Sequence, residues 1–485
     1  MSNFFKKNFF FWSICLVFGQ ISAQNTLISE PINIRNDYGY ELIGRLNDHV
    51  LLFRDKYDEF EVRALDNRLR EDWDKEIVLE KHGVQVLGVV GGKRDFSIIY
   101  RAKRKGEWLL RQNKYDSEAQ LIDSVTLKTW PTNPFFTPKL ELVKSDDRNC
   151  MAVFDRTSSK EEMPVTCFRL DKMQVLWEKN LTFDGGLTES TLADFCLSNS
   201  GDLFVVSDLD NRKTSRDDHR FEIRQVNTGG EKTWKIPIPE FVTYRIQFAF
   251  DEKNRRLTGA GFYGERSIER AQGYFFTTLS PEKNLVGKPR FEPFDDGFLT
   301  VFKGKEVAAS ESHGLSDLEV AQIVFREDGG ILLIGEQARE LVRGTMNGRP
   351  GFRGEAPRTI IDYFYDDFFI LATQPDGSPH WKTVLHKKQY SQDDGASFSS
   401  FFAVKTPDRL HFLFNDEIRF ENTCSEYLVD PLGHFDRNSL LNTADQNLRL
   451  RFRDGLQISA NEALIPSEYK GKLRLVLFRF DGARI

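Results

Sequence analysis

From about residue 40 to the C-terminus, short apolar runs alternate with polar turns, and the runs keep the same order. The clearest recurring piece is a four-residue segment just after a turn: Val50–Phe53, Phe96–Ile99, Met151–Phe154, Leu203–Val206, Leu257–Ala260, Ile331–Ile334, Leu410–Leu413 and Leu456–Ser459. Runs this short, bounded by Gly, Asp, Asn and Pro as in Asn199–Asp202, Asp328–Gly330 and Thr406–Asp408, predict strands rather than helices. A partly alternating segment precedes several of these turns (Arg245–Phe250, Ala321–Phe325, Phe401–Val404), so each unit opens with a hairpin. A third strand follows, for example Phe60–Leu65, Val165–Leu170, Phe221–Val226 and Phe368–Thr373. A tryptophan then stands at a nearly constant offset, Trp73, Trp177, Trp234 and Trp381, with an aliphatic residue four positions on: Ile77, Leu181, Ile238 and Leu385.

Four strands per unit is the blade of a propeller. The pattern predicts an all-β chain, a β-propeller of about eight four-stranded blades, with seven as the alternative count and paired β-sandwiches as the alternative fold. The last unit supplies Leu448–Phe452, Leu456–Ala460 and Leu473–Phe480 but no fourth strand, while Thr26–Arg35 is unclaimed. An N-terminal strand completing the last blade would close the ring and leave no open edge. Two inserts interrupt the rhythm. Residues 291–318 are polar, with a short helix expected within Asp295–Ser312 because Phe298, Val301 and Phe302 fall at helical spacing. Residues 336–359 hold Arg339, Arg343, Arg349, Arg353 and Arg358 among Gly and Pro, and are expected to form an extended or mobile loop.

The first 23 residues read as a signal peptide: Lys6 and Lys7, the ten-residue apolar stretch Phe9–Phe18, then Ile21–Ala23 before Gln24. The rival is an uncleaved anchor or a lipoprotein leader through Cys15, although Trp12–Ile14 lacks the usual small residue before that cysteine. Residues 24–485 are then one exported propeller domain with no later membrane-length run, placed in the periplasm, at the cell surface or outside the cell. Losing the leader removes two lysines and no acid, moving the formal charge from −6 to −8. An acidic chain argues against nucleic acid as a partner. Four cysteines remain: Cys150, Cys167, Cys196 and Cys424. Cys150 and Cys167 flank a hairpin, leaving a disulfide and free core thiols both open.

Gly229–Trp234 and, less faithfully, Gly377–Trp381 resemble the tryptophan-docking repeat of quinoprotein-type propellers, in which the ring packs between neighbouring blades. Most copies lack that repeat's small-residue, Asp and Thr-Gly positions, so the resemblance implies blades without a cofactor site. Over residues 290–435, the succession Asp328–Gly330, Gly335–Gln337, Tyr365–Asp367, Ser391–Gly395 and Phe414–Asp416 is similar to a family of uncharacterised exported bacterial proteins. That resemblance implies fold and compartment and brings no activity.

Local chemical motifs are sparse. Gly259–Gly264 matches the dinucleotide fingerprint by letter, but it spans a predicted strand with no βαβ context; close packing near the axis explains the glycines better. Gly88–Lys93 lacks the hydroxyl of a P-loop and reads as a hairpin turn, and Arg101–Lys105 before Gly106 as a solvated hairpin tip. The eight histidines form no ligand pair on one element, and no Gly-x-Ser-x-Gly elbow occurs. The acidic positions Glu336, Asp366, Asp367, Asp393, Asp394 and Asp416 are the candidate metal ligands, with calcium as the ion because it takes six to eight oxygens from flexible loops. Turn chemistry, in which Asp binds its own backbone, explains them as well. No catalytic residue is identifiable. The expected function is a noncatalytic binding or scaffolding propeller for a protein or glycan, against an alternative glycan lyase or hydrolase with carboxylates at the propeller mouth.

Overall fold

The protein, seen in a computed structural model, is described over residues 26–56, 59–80, 83–131, 139–155, 161–183, 191–211, 218–265, 270–304, 314–344, 359–418 and 423–480. Eight antiparallel sheets follow one another along the chain, each in sequential strand order. First strands of neighbouring sheets touch across several boundaries, so the sheets stand radially around an axis as blades. The chain is an eight-bladed β-propeller, its blades numbered 1 to 8 in chain order from the sheet that opens with Gly39–Leu46 to the one that opens with Leu456–Ser459.

Each blade is fastened to the next by its apolar faces. Phe368 of blade 6 stacks on Phe401 of blade 7 at 4.7 Å, and Phe204 of blade 4 stacks on Phe250 of blade 5 at 5.2 Å. The predicted tryptophans lie on fourth strands, and three reach into the following blade. Trp177 Nε1 donates to Gly201 O at 2.9 Å, Trp234 Nε1 to Asn284 Oδ1 at 2.7 Å, and Trp381 Nε1 to Pro431 O at 3.1 Å. Ile77, Leu181, Ile238 and Leu385 are all buried. A polar chain adds to this on one face, where Asp147 N donates to Asn199 Oδ1 and Asn199 N to Glu252 Oε1, linking blades 3, 4 and 5.

Blade 8 is closed by the N-terminus as expected. Thr26–Ile28 and Ile32–Asn33 both pair with the third strand, Lys472–Arg479. The inner strands differ from the expectation. Leu456–Ser459 is the first strand of blade 8, and the second is Glu462–Tyr469, which the sequence reading missed because Pro466 and flanking polar residues disguise it. Leu448–Phe452 belongs to the connection from blade 7, with only a Leu450–Ser467 bridge.

The inserts also resolve. The helix spans Asp296–Lys303, with Asp295 accepting from Phe298 N and Gly304 in the left-handed cap. It buries Phe298, Leu299 and Phe302, while Val301, taken as part of its apolar stripe, faces solvent. The second insert is a hairpin. Ile331–Gly344 and Thr359–Thr373 pair from Leu332 with Ala372 as far as Gly344 with Thr359, lengthening the two middle strands of blade 6. Arg349, Arg353 and Arg358 lie outside the described residues. Gly259 and Gly261 sit in a second strand rather than at the axis: a β-carbon would lie 2.3 Å from the Phe248 ring at Gly259 and 2.9 Å from Phe275 at Gly261. Lys105 and Gly106 take positive φ at a hairpin tip. The four cysteines after residue 23 are free thiols.

Candidate functional site

Antiparallel order puts the turns between second and third strands, together with the blade-to-blade connections, on one face of the ring. All six candidate carboxylates lie toward that face, in blades 6 and 7 and the connection between them. They do not converge on one point. Lys387, fully buried, is the centre of the largest group: its Nζ meets Glu336 Oε1 at 2.7 Å, Tyr365 O at 2.9 Å and Gln389 Oε1 at 3.1 Å. Tyr365 O and Gln389 Oε1 accept hydrogen bonds from the ammonium, and the Glu336 contact is an ion pair. Glu336 Oε2 accepts from Ser400 Oγ at 2.6 Å, carrying the network into blade 7. Burial pushes the Lys387 ammonium below the ordinary lysine value, with the Glu336 carboxylate opposing.

Asp366 and Asp367 flank this group. Burial raises the Asp366 carboxyl against the pull of Lys387, and Asp367 accepts from Lys387 N at 3.0 Å and contacts His386 Nδ1 at 3.0 Å. Asp393 Oδ1 accepts from Ile361 N at 2.9 Å and so ties the connection to the long hairpin. Asp394 Oδ1 accepts from Ser391 Oγ and Ala396 N inside its own turn, and its other oxygen lies 3.7 Å from Arg449. Asp416 accepts from Ser425 Oγ and from Arg437 Nη2. Among the described residues, no group of three or more His, Cys, Asp or Glu side chains is placed to share a metal ion.

A second feature of this face escaped the sequence reading. In the connection to blade 8, Arg449, Arg451 and Arg453 alternate with fully buried Leu450 and Phe452. Each guanidinium lies over a different ring: Arg449 over Phe398 at 3.9 Å, Arg451 over Tyr40 at 5.9 Å and Arg453 over Tyr365 at 4.5 Å. The alternation of Leu448–Phe452 predicts a strand, and nothing in it announces three separate aromatic partners.

Beneath Arg451 and Arg453 opens a cavity of about 720 Å³, bounded by the first strands or adjoining turns of blades 8, 1, 2 and 3. Tyr38 and Tyr40 stand at the connection-side end, and Lys144 and Arg148 come from the end and turn of the first strand of blade 3. Its acids are largely engaged. Asp37 accepts from Arg54 through both oxygens, Asp454 and Glu468 both bind Arg451, and Glu41 Oε2 accepts from Val89 N at 2.8 Å. Burial raises the Tyr40 hydroxyl well above the ordinary tyrosine value. Around the ring, Asp194 uses the same device as Glu41, accepting from Phe248 N in the next blade at 2.6 Å.

No family model and no characterised sequence matches the chain. Among solved structures it is similar to a member of the DUF4221 family from Bacteroides vulgatus, at 11% identity over 86% of this chain and 98% of that one, TM-score 0.33. It is also similar to the β-propeller domain of the Trilobed protease from Pyrococcus furiosus, at 11% identity over 72% and 83%, TM-score 0.34. A third likeness, to hydrazine synthase from Kuenenia stuttgartiensis, is 16% identical with TM-score 0.26; it covers 48% of this chain and 62% of that one, less than two thirds of its length. The fold is established by the chain's own strand pairing, and these likenesses carry no activity to it. Among the described residues, no helix is long and apolar enough to cross a membrane.

Proposed function

We propose that the protein is a noncatalytic binding propeller acting outside the cytoplasm, taking a protein or glycan partner on the face that carries the blade connections. One observation supports this most: the axial cavity of about 720 Å³ is of a size that encloses small ligands, and it is rimmed by tyrosine and arginine side chains. The glycan hydrolase reading needs two carboxylates held about 5 to 10 Å apart across one substrate position. Five of the six acidic candidates instead accept hydrogen bonds or ion pairs from donors of their own chain, and the cavity's acids serve Arg54, Arg451 and Val89.

The test is a glycan array probed with the full chain expressed with its leader, each bound glycan then being followed for cleavage products. Saturable binding with intact glycan is the expected outcome. Product formation that scales with the amount of protein would replace this reading with the enzymatic one.

A further inference from the structure

The cavity's charge balance points to the class of ligand. By formula its lining is even, with four acidic and four basic side chains, but their availability differs sharply. Three of the acids are already paired with arginine, Asp37 with Arg54 and both Asp454 and Glu468 with Arg451. On the basic side, Lys144, Arg148 and Arg453 have no carboxylate within ion-pair distance among the described residues. Three cations without a carboxylate partner therefore stand against Glu41, one oxygen of which is occupied by Val89 N, and the single negative charge left where Asp454 and Glu468 share Arg451. In a chain with a net charge of −6, a cluster of cations that no carboxylate pairs is a local departure from the average. A concave, low-dielectric wall strengthens such a field toward an entering anion.

The rim adds shape. Tyr38 is 80% exposed although it borders the cavity, and an uncovered aromatic ring offers a flat face to the C–H surface of a sugar. The volume far exceeds the space of a bare inorganic anion. Gly88 contributes as well, since a β-carbon there would lie 3.2 Å from Lys144 Nζ and crowd the ammonium.

We infer that the axial cavity binds an anionic oligosaccharide, with Lys144, Arg148 and Arg453 receiving its acidic groups and Tyr38 stacking on a ring. This rests on the binding reading above and narrows it. Uronate carboxylates and sulfate esters present the same chemistry to guanidinium and ammonium groups, and the two sources are separated by experiment.

Calorimetric titration of the full chain would use trigalacturonate, a sulfated galactotriose, neutral galactotriose and inorganic sulfate. At least one anionic sugar is expected to bind about tenfold or more tightly than the neutral one, weakening as salt rises; which of the two binds identifies the source. Arg453→Gln and Lys144→Gln are each expected to weaken the anionic sugar about tenfold, and Tyr38→Ala to weaken it without changing its salt dependence. All three side chains are exposed, so circular dichroism should show an unchanged fold. Equal affinity for the neutral sugar would overturn the charge assignment while leaving a glycan-binding propeller. Equal competition by inorganic sulfate would reduce the site to simple anion binding. No binding of any of the four would overturn this inference alone if the array yields another ligand, and the binding reading with it if the array is blank.

Discussion

Removing the Lys387 ammonium tests the polar network between blades 6 and 7 most directly. Lys387→Met keeps an unbranched side chain one atom shorter and deletes the ion pair to Glu336 and the bonds donated to Tyr365 O and Gln389. Glu336 is 4% exposed and would keep a single donor, Ser400 Oγ. Stranding one member of a buried ion pair costs about 3 to 5 kcal/mol, a large part of the roughly 5 to 15 kcal/mol that holds a folded domain together. Urea unfolding followed by tryptophan fluorescence reads this loss, because Trp381 lies on the fourth strand of the same blade. Glu336→Gln with Lys387→Met removes both charges, and the double variant is expected to recover more than half of the single variant's loss. A loss below about 1 kcal/mol for Lys387→Met, or a double variant whose losses simply add, would refute the reasoning, since independent sites add and coupled ones do not.

Other expectations follow from the same contacts. Burial pushes Asp194 up to about 6, against the two backbone N–H bonds it accepts. The folded state therefore holds a proton that the unfolded chain has lost between about pH 4 and 6, and stability falls by on the order of 3 kcal/mol as pH rises through that window; Asp194→Asn should flatten this slope in pH-dependent urea unfolding. Gly433 has φ 87° and a β-carbon there would lie 2.5 Å from the Trp381 ring, so Gly433→Ala should destabilise by about 3 kcal/mol and shift the indole emission. Millimolar calcium is expected to leave the thermal midpoint unchanged, because five of the six candidate carboxylates are engaged by their own donors and the six do not converge; a rise with calcium concentration would support the metal reading.

The fold was legible because a propeller repeats its physics. Seven of the eight apolar tetrads fall in second strands, and the tryptophans landed on fourth strands, where the indole reaches the next blade. The eighth tetrad slipped by one strand: Leu456–Ser459 looks like the others, but Leu450 and Phe452 are buried by the neighbouring connection rather than by a sheet partner of their own. Val301 shows the same limit, since 3.6-residue spacing allowed two stripes and only packing against the blade-6 sheet selected Leu299. The candidate site was legible by region and not by role. The acidic letters fell toward one face of the ring, yet whether Asp393 binds an ion or Ile361 N depends on a strand thirty-two positions away. The cavity had no local signature, because Tyr38, Lys144 and Arg453 meet only when the ring is closed.

Closure of blade 8 also governs the order of events in time. Leu475 N donates to Ser29 Oγ across 446 positions of sequence. Thr26–Asn33 thus waits for a strand made much later, and its partner surface does not exist until Lys472–Arg479 has emerged. Until then blade 8 offers a bare strand edge to any other extended chain, including another copy of itself. Pairings at such separation form slowly because loop-closure entropy must be overcome before contacts compensate. The final, rate-setting stage of folding should accordingly be the docking of Thr26–Asn33, and peptides of that sequence supplied in excess should trap open rings.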